Sequence, residues 1–177
     1  MKKRTKLIFI IIFAIGVCLG IWRLWPNSIS HLFSFEEYSV IGFSAQATVR
    51  HYINEYSYNG TDYYLDIPHE QSRNFEDILE IINKSKYQQD FRNLLPGDID
   101  TVHPDKNHDG TNVDLEFVFG NKPDQRINIS FLSSSIIAVF VPAESSFCIY
   151  HPINPETIDN LVKYLQTHGT SRKISYP

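Results

Sequence analysis

Cysteine is nearly absent from this sequence: there are two in 177 residues, Cys18 and Cys148. Cys18 lies inside a long apolar run and Cys148 far downstream in "SFCIYH". With Cys18 expected within a membrane span and Cys148 in the domain outside it, an intrachain disulfide is excluded even where the compartment would permit one. With apolar neighbours on both sides, Cys148 reads as a small buried core residue. Catalytic signatures are missing as well. The chain has no Gly-rich phosphate loop and no G-x-S-x-G elbow, and its seven histidines form no H-x-H or H-E-x-x-H pair. Residues 27–177 contain no internal repeat and no low-complexity tract.

Negative charge is missing from the first 25 residues, which hold five of the 16 Lys and Arg and none of the 20 Asp and Glu. The remainder therefore carries 11 positive against 20 negative charges, a net of −9. Such a surface repels nucleic acid and anionic lipid, which excludes both as partners of the outer part.

What is present begins with "KKRTK", followed by the uncharged run "LIFIIIFAIGVCLGIW" from Leu7 to Trp22. Counting on through Arg23, Leu24 and Trp25, it approaches the ~20 residues that cross hydrocarbon as a helix. A cleaved signal peptide needs small residues just beyond the run, where this chain has "WRLWPNSIS". The competing lipoprotein signal, ending at Cys18, would put bulky Val17 where Gly or Ala is usual. The sequence thus predicts a basic cytoplasmic stub (1–6) and a single transmembrane signal-anchor helix (7–25), with Trp22 and Trp25 at the far interface and Pro26 ending it. Four cations before the span against one after it put the N-terminus inside the cell. A linker (26–35) and an extracytoplasmic domain (36–177) follow.

Within that domain "YSVIGFS", "ATVRHYINEY" and "TDYYLDI" read as strands, with Asn59-Gly60 as a hairpin signal. A helix begins at Asn74, its stripe made of Phe75, Ile78, Leu79 and Ile82. Tyr87 and Phe91 fall on a rotated face or a second short helix. "VDLEFVF" and "RINISFL" alternate with period two, sending Val113, Leu115, Phe117 and Phe119, then Ile127, Ile129 and Phe131, to one side. "IIAVFV" is apolar throughout, the pattern of a strand covered on both faces, and "SFCIYH" is a fourth strand. A last helix starts near Asn154-Pro155 and buries Ile158, Leu161, Val162 and Leu165, with Ile153 stapled onto Ile158 and Gly169 past its end. The expected fold class is α+β: an antiparallel sheet with two helices packed on one face, preceded by a single N-terminal transmembrane helix. The layout is similar to that of small membrane-tethered outer domains of Gram-positive bacteria, with no family motif behind the likeness.

One stretch, "DKNHDGTNVDLE", resembles the twelve-residue calcium loops of EF-hand and dockerin proteins. The resemblance assigns ligand roles to Asp105, Asn107, Asp109 and Glu116 around Gly110. Period-two alternation after Asn112, however, makes the chain leave as a strand. Four strand residues carry Glu116 ~13 Å away, beyond a calcium–oxygen bond of roughly 2.4 Å. A weaker calcium site made of Asp105, Asn107, Asp109, Asn112 and Asp114 remains, and the metal-free polar turn outweighs it because Asp, Asn and Gly gather in any tight turn.

These readings point to a non-enzymatic binding module for a protein, peptide or envelope component, with no cofactor. The ligand would lie on the sheet face or on the tyrosine-rich stretch of Tyr52, Tyr56, Tyr58, Tyr63 and Tyr64. The alternatives are an envelope hydrolase whose site is assembled only by folding, and a calcium-stiffened structural module. Ser133–Ser135 could supply a nucleophile only if the fold placed a histidine beside it.

Overall fold

The alternation in "NVDLEFVF" produces the strand around which the sheet is built. In a computed structural model of the chain, which describes residues 2–33, 40–53, 57–67, 73–94, 110–120, 126–141 and 146–176, this strand is β4 (Asn112–Phe119). Before it come β1 (Val40–Tyr52), β2 (Tyr58–Ile67) and the short β3 (Tyr87–Gln89). After it come β5 (Arg126–Phe131), β6 (Ile137–Val141), β7 (Ser146–Pro152) and β8 (Thr170–Tyr176). All paired neighbours are antiparallel, in the order β3-β7-β6-β5-β4-β1-β2-β8.

Two helices cover one face, α3 (Arg73–Asn83) and α4 (Thr157–His168). Their apolar stripes (Phe75, Ile78 and Ile82, then Ile158, Leu161 and Leu165) meet the inward residues of β1, β4, β5 and β6 in one core. Ala45 and Ala47 on β1 let α4 approach, while Phe43, Phe75 and Phe117 fill the wider space, the Phe43 and Phe75 rings meeting edge-on at 5.4 Å. Tyr164 fastens α4 to α3 with its hydroxyl 2.8 Å from Asn74 Oδ1 and 3.0 Å from Asp77 Oδ2. Desolvation first, and the Asp77 carboxylate second, push that phenol up to about 12.

The α+β class with helices on one face is as the periodicities predict, and several details differ. "YSVIGFS" and "ATVRHYINEY" contribute to one long strand, β1. Asn59-Gly60 is no turn: both residues pair inside β2, opposite His51 and Arg50, and the chain reverses between Ile53 and Ser57. Gly60 is required by close approach, since a Cβ there would collide with the Val49 carbonyl. Tyr87 belongs to an edge strand and Phe91 to a 3-10 turn (Phe91–Leu94). Ile153 is exposed and staples nothing. The polar strand β8 has no counterpart in the sequence reading.

The N-terminal expectations also change. Residues Lys2–Arg23 form a helix, α1, but among the described residues no helix is long and apolar enough to cross a membrane. The transmembrane helix anticipated over 7–25 is thus not found among the described residues. The stretch expected as a linker docks instead. Asn27 exchanges two backbone hydrogen bonds with Tyr87, at 3.1 and 2.7 Å. Ser28 caps α2 (Ile29–Leu32), and Ile29 is 1% exposed in the core.

Candidate functional site

The helix-free face of the sheet takes every second side chain. Strand register sets them in rows: Ser44, Glu116 and Asn128 in one, and Tyr64, Gln46, Asp114 and Ser130 in the next. Together they line a trough of about 430 Å³, with Ala45, Leu65 and Leu115 also at its surface. Further along β1, Asp62, Thr48 and Asn112 form a third row, and Tyr52, Tyr58 and Tyr176 a row at the sheet's end. Towards β7 the face is mixed: Ala138 and Ile149, directly opposite each other, are buried, whereas the neighbouring outward pair Phe140 and Phe147 is exposed. The double covering that the apolar run in β6 predicts holds at Ala138 and fails at Phe140.

The polar groups of the trough are only partly engaged. Glu116 Oε1 pairs with Arg126 Nη1 at 2.8 Å. Asp114 Oδ2 accepts from Asn112 Nδ2 at 2.7 Å, and Asn112 Oδ1 in turn accepts from Arg50 Nη1 at 2.7 Å. Tyr64 donates its hydroxyl to Asp62 Oδ2 at 2.7 Å, a bond that raises the Tyr64 pKa. Asp62 is 7% exposed, and its other oxygen, Oδ1, is buried with no partner among the described residues. A buried polar atom in that state costs stability.

At the tyrosine row the Tyr58 and Tyr176 rings lie nearly parallel, 5.9 Å apart, with Tyr52 edge-on to Tyr58. The Arg50 guanidinium sits 5.6 Å from the Tyr58 ring centre. Tyr52 and Tyr176 are exposed. The sheet face and the tyrosine-rich stretch, separate candidates in the sequence, are thus one surface. Tyr64 joins the trough, Tyr63 turns to the core, and Tyr56 lies outside the described residues.

Of the calcium candidates, Asp105, Asn107 and Asp109 lie outside the described residues. Asn112 and Asp114 stand on β4, as does Glu116. Arg50 contacts one of these candidates, with Nη1 2.7 Å from Asn112 Oδ1 and 3.3 Å from the Gly110 carbonyl. Gly110 has φ +61°, and a Cβ there would press on Arg50 and Tyr52 at 2.7 Å. Among the described residues no group of three or more His, Cys, Asp or Glu is placed to hold a metal ion.

A histidine does meet the serine turn. His151 Nε2 is 2.8 Å from Asp90 Oδ2, and its Nδ1 is 2.8 Å from the main-chain oxygen of Ser135. Asp90 is further held by Arg92 through its backbone N–H, Nε and Nη2. The Arg92 guanidinium, opposed by burial and aided by His151, holds the carboxyl well below the usual range. A general base must face the hydroxyl whose proton it takes. Here the imidazole faces a carbonyl, and the Ser135 hydroxyl contacts Ser133 at 3.1 Å. The arrangement braces the turn between β5 and β6.

No protein family, curated protein or solved structure matches the chain. The outward positions of Asp114, Glu116, Asn128 and Ser130 are legible in the alternation of β4 and β5. Ser44, Gln46, Arg50 and Tyr176 are not, because only strand register brings them to this face.

Proposed function

We propose that this chain is a membrane-anchored extracytoplasmic binding module, with ligand held on the helix-free face of its sheet. The observation that carries the reading is the polar trough of about 430 Å³ in the same sheet face as an exposed tyrosine row. Concave surfaces with convergent polar groups and neighbouring aromatic area are where ligands gain contact and orientation. Anchoring is supported by α1, whose described apolar side chains are exposed on all sides and pack on no core. A helix hydrophobic all round belongs in an apolar surround. Lys2, Lys3, Arg4 and Lys6 before it favour a cytoplasmic start.

The test fills the trough. Ser44→Arg with Ser130→Arg in the full chain should abolish its retention on isolated cell envelope while leaving its thermal midpoint within about a degree. Wild-type protein that is not retained, or a filled variant retained equally, removes the reading. Protease added to intact cells should digest the domain but spare the N-terminal helix; a domain that survives on intact cells and is cut only after lysis lies inside.

A further inference from the structure

The chemistry of the trough narrows what it takes. Its carboxylates are each engaged through one oxygen: Glu116 Oε1 pairs with Arg126, and Asp114 Oδ2 accepts from the Asn112 amide that Arg50 holds. Their second oxygens remain acceptors for a ligand's hydroxyl groups and oppose an anionic one. The other uncommitted groups are neutral. Ser44, Asn128 and Ser130 have side chains with no hydrogen-bond partner among the described residues, and Gln46 keeps its carbonyl oxygen while its amide donates to Thr48 at 3.3 Å. Neighbouring amide and hydroxyl groups, with carboxylate oxygens beside them, offer donors and acceptors in alternation. Beyond them lie the exposed rings of Tyr52 and Tyr176.

We propose, building on the reading of this face as a binding surface, that the ligand is a neutral polyhydroxylated chain, a glycan. Vicinal hydroxyls both donate and accept, which suits Ser44, Asn128, Ser130 and Gln46. The apolar faces of sugar rings suit aromatic area, which supplies dispersion at little entropic cost. Along β1, Gln46 and Tyr52 are six residues apart, ~20 Å at strand rise, a span for several linked sugars. A peptide fits the same surface poorly. Extended peptides add to a sheet edge through their backbones, or anchor apolar side chains in pockets, and this trough is a sheet face lined by polar side chains. Anionic lipid headgroups are disfavoured by Asp114 and Glu116.

The experiment follows the side-chain amide NMR signals of Asn128 and Gln46 in the full chain, held in phosphocholine micelles that contain no sugar. The probes are cellohexaose, chitohexaose and maltohexaose, and a neutral Gly-Ser hexapeptide. At least one hexaose should move both signals saturably. Asn128→Ala should weaken that binding about tenfold, the loss of one well-made hydrogen bond. Tyr176→Ala, at an exposed position where folding is not at stake, should weaken it as well, and Glu80→Ala on α3 should not. Signals moved by the hexapeptide alone overturn the glycan and leave the binding face standing. Signals moved by no probe overturn the glycan, and if the envelope test also fails, the binding reading falls with it. Binding that Asn128→Ala and Tyr176→Ala both leave intact places the sugar elsewhere and refutes the proposal.

Discussion

Asn93 lays its side-chain amide along the backbone of Ile149, donating Nδ2 to the carbonyl at 2.7 Å while Oδ1 accepts the N–H at 3.0 Å. Where β3 ends at Gln89, the Asp90 N–H still donates to the same carbonyl at 3.0 Å, and the Asn93 side chain completes this rung by taking up the Ile149 N–H, closing part of an open sheet edge. Asn93→Ala leaves the Ile149 N–H without its partner and should cost about 1–2 kcal/mol in thermal or urea unfolding. Amide exchange at Ile149 should quicken while that at Val139, inside the sheet, stays slow. Unchanged exchange at Ile149 would show that the rung is not formed in solution.

Asp90 gives the fold an acid limit. Its folded pKa lies below the unfolded carboxylate value, chiefly through Arg92. The carboxylate therefore adds stability that is fully present above about pH 4 and is lost as pH falls through the lowered folded value. Asp90→Asn should be less stable than wild type at neutral pH and should lose less on acidification. Equal acid slopes for the two proteins, read from urea midpoints between about pH 2 and 6, would count against the Arg92 contact.

Tyr64 behaves in the opposite sense. Its pKa is raised, first by its hydrogen bond to Asp62, so its contribution is present below the ordinary phenol pKa of about 10 and is lost as pH rises through the higher folded value. Asp62→Asn should lower the Tyr64 pKa in an ultraviolet titration. The midpoint at neutral pH should change little, because Oδ1 has no hydrogen bond among the described residues to lose. A marked fall would reveal a partner for Oδ1.

Ile29 precedes the first strand yet belongs to the core. Ile29→Ala should destabilise the domain by about 2–5 kcal/mol, as for a buried aliphatic side chain. A fragment beginning at residue 36 should melt lower than one beginning at 26. Equal melting of the two fragments would make the docking of α2 incidental.

Arg50 Nη1 donates to both Asn112 Oδ1 and the Gly110 carbonyl. Calcium at roughly 5 mM, within the range of weak extracellular sites, should leave the melting midpoint where a chelator leaves it, since only binding to the native state raises it. A rise that Asp105→Ala with Asp109→Ala abolishes would return the loop to metal binding.

Much of the architecture is legible in the sequence where one face is buried and the other wet. Period-two alternation gives β4 and β5 with the correct faces, and the stripes give α3 and α4. Legibility fails where a residue's role depends on a distant neighbour. Asn59-Gly60 has the chemistry of a hairpin turn, but the glycine serves the approach of the Val49 carbonyl. β8, "TSRKISY", has no buried face to write an apolar pattern, and its pairing with β2 defines it. Asp90 and His151 are 61 residues apart, and no spacing rule joins them. The trough is of the same kind: its outward residues on β4 and β5 can be read individually, and their alignment with Ser44, Gln46 and Tyr64 requires the register.

The bridge between Asn27 and Tyr87 fixes where the leading segment reaches the body: the β3 rim. Tyr176 closes β8, the opposite rim, seven inter-strand steps away, ~34 Å for strands ~4.8 Å apart. If α1 holds the chain as proposed, the molecule is leashed by one hem and carries its tyrosines on the other, like a pennant whose free border meets the surroundings first. Tension on such a leash would reach the two bonds of that bridge ahead of the aromatic border.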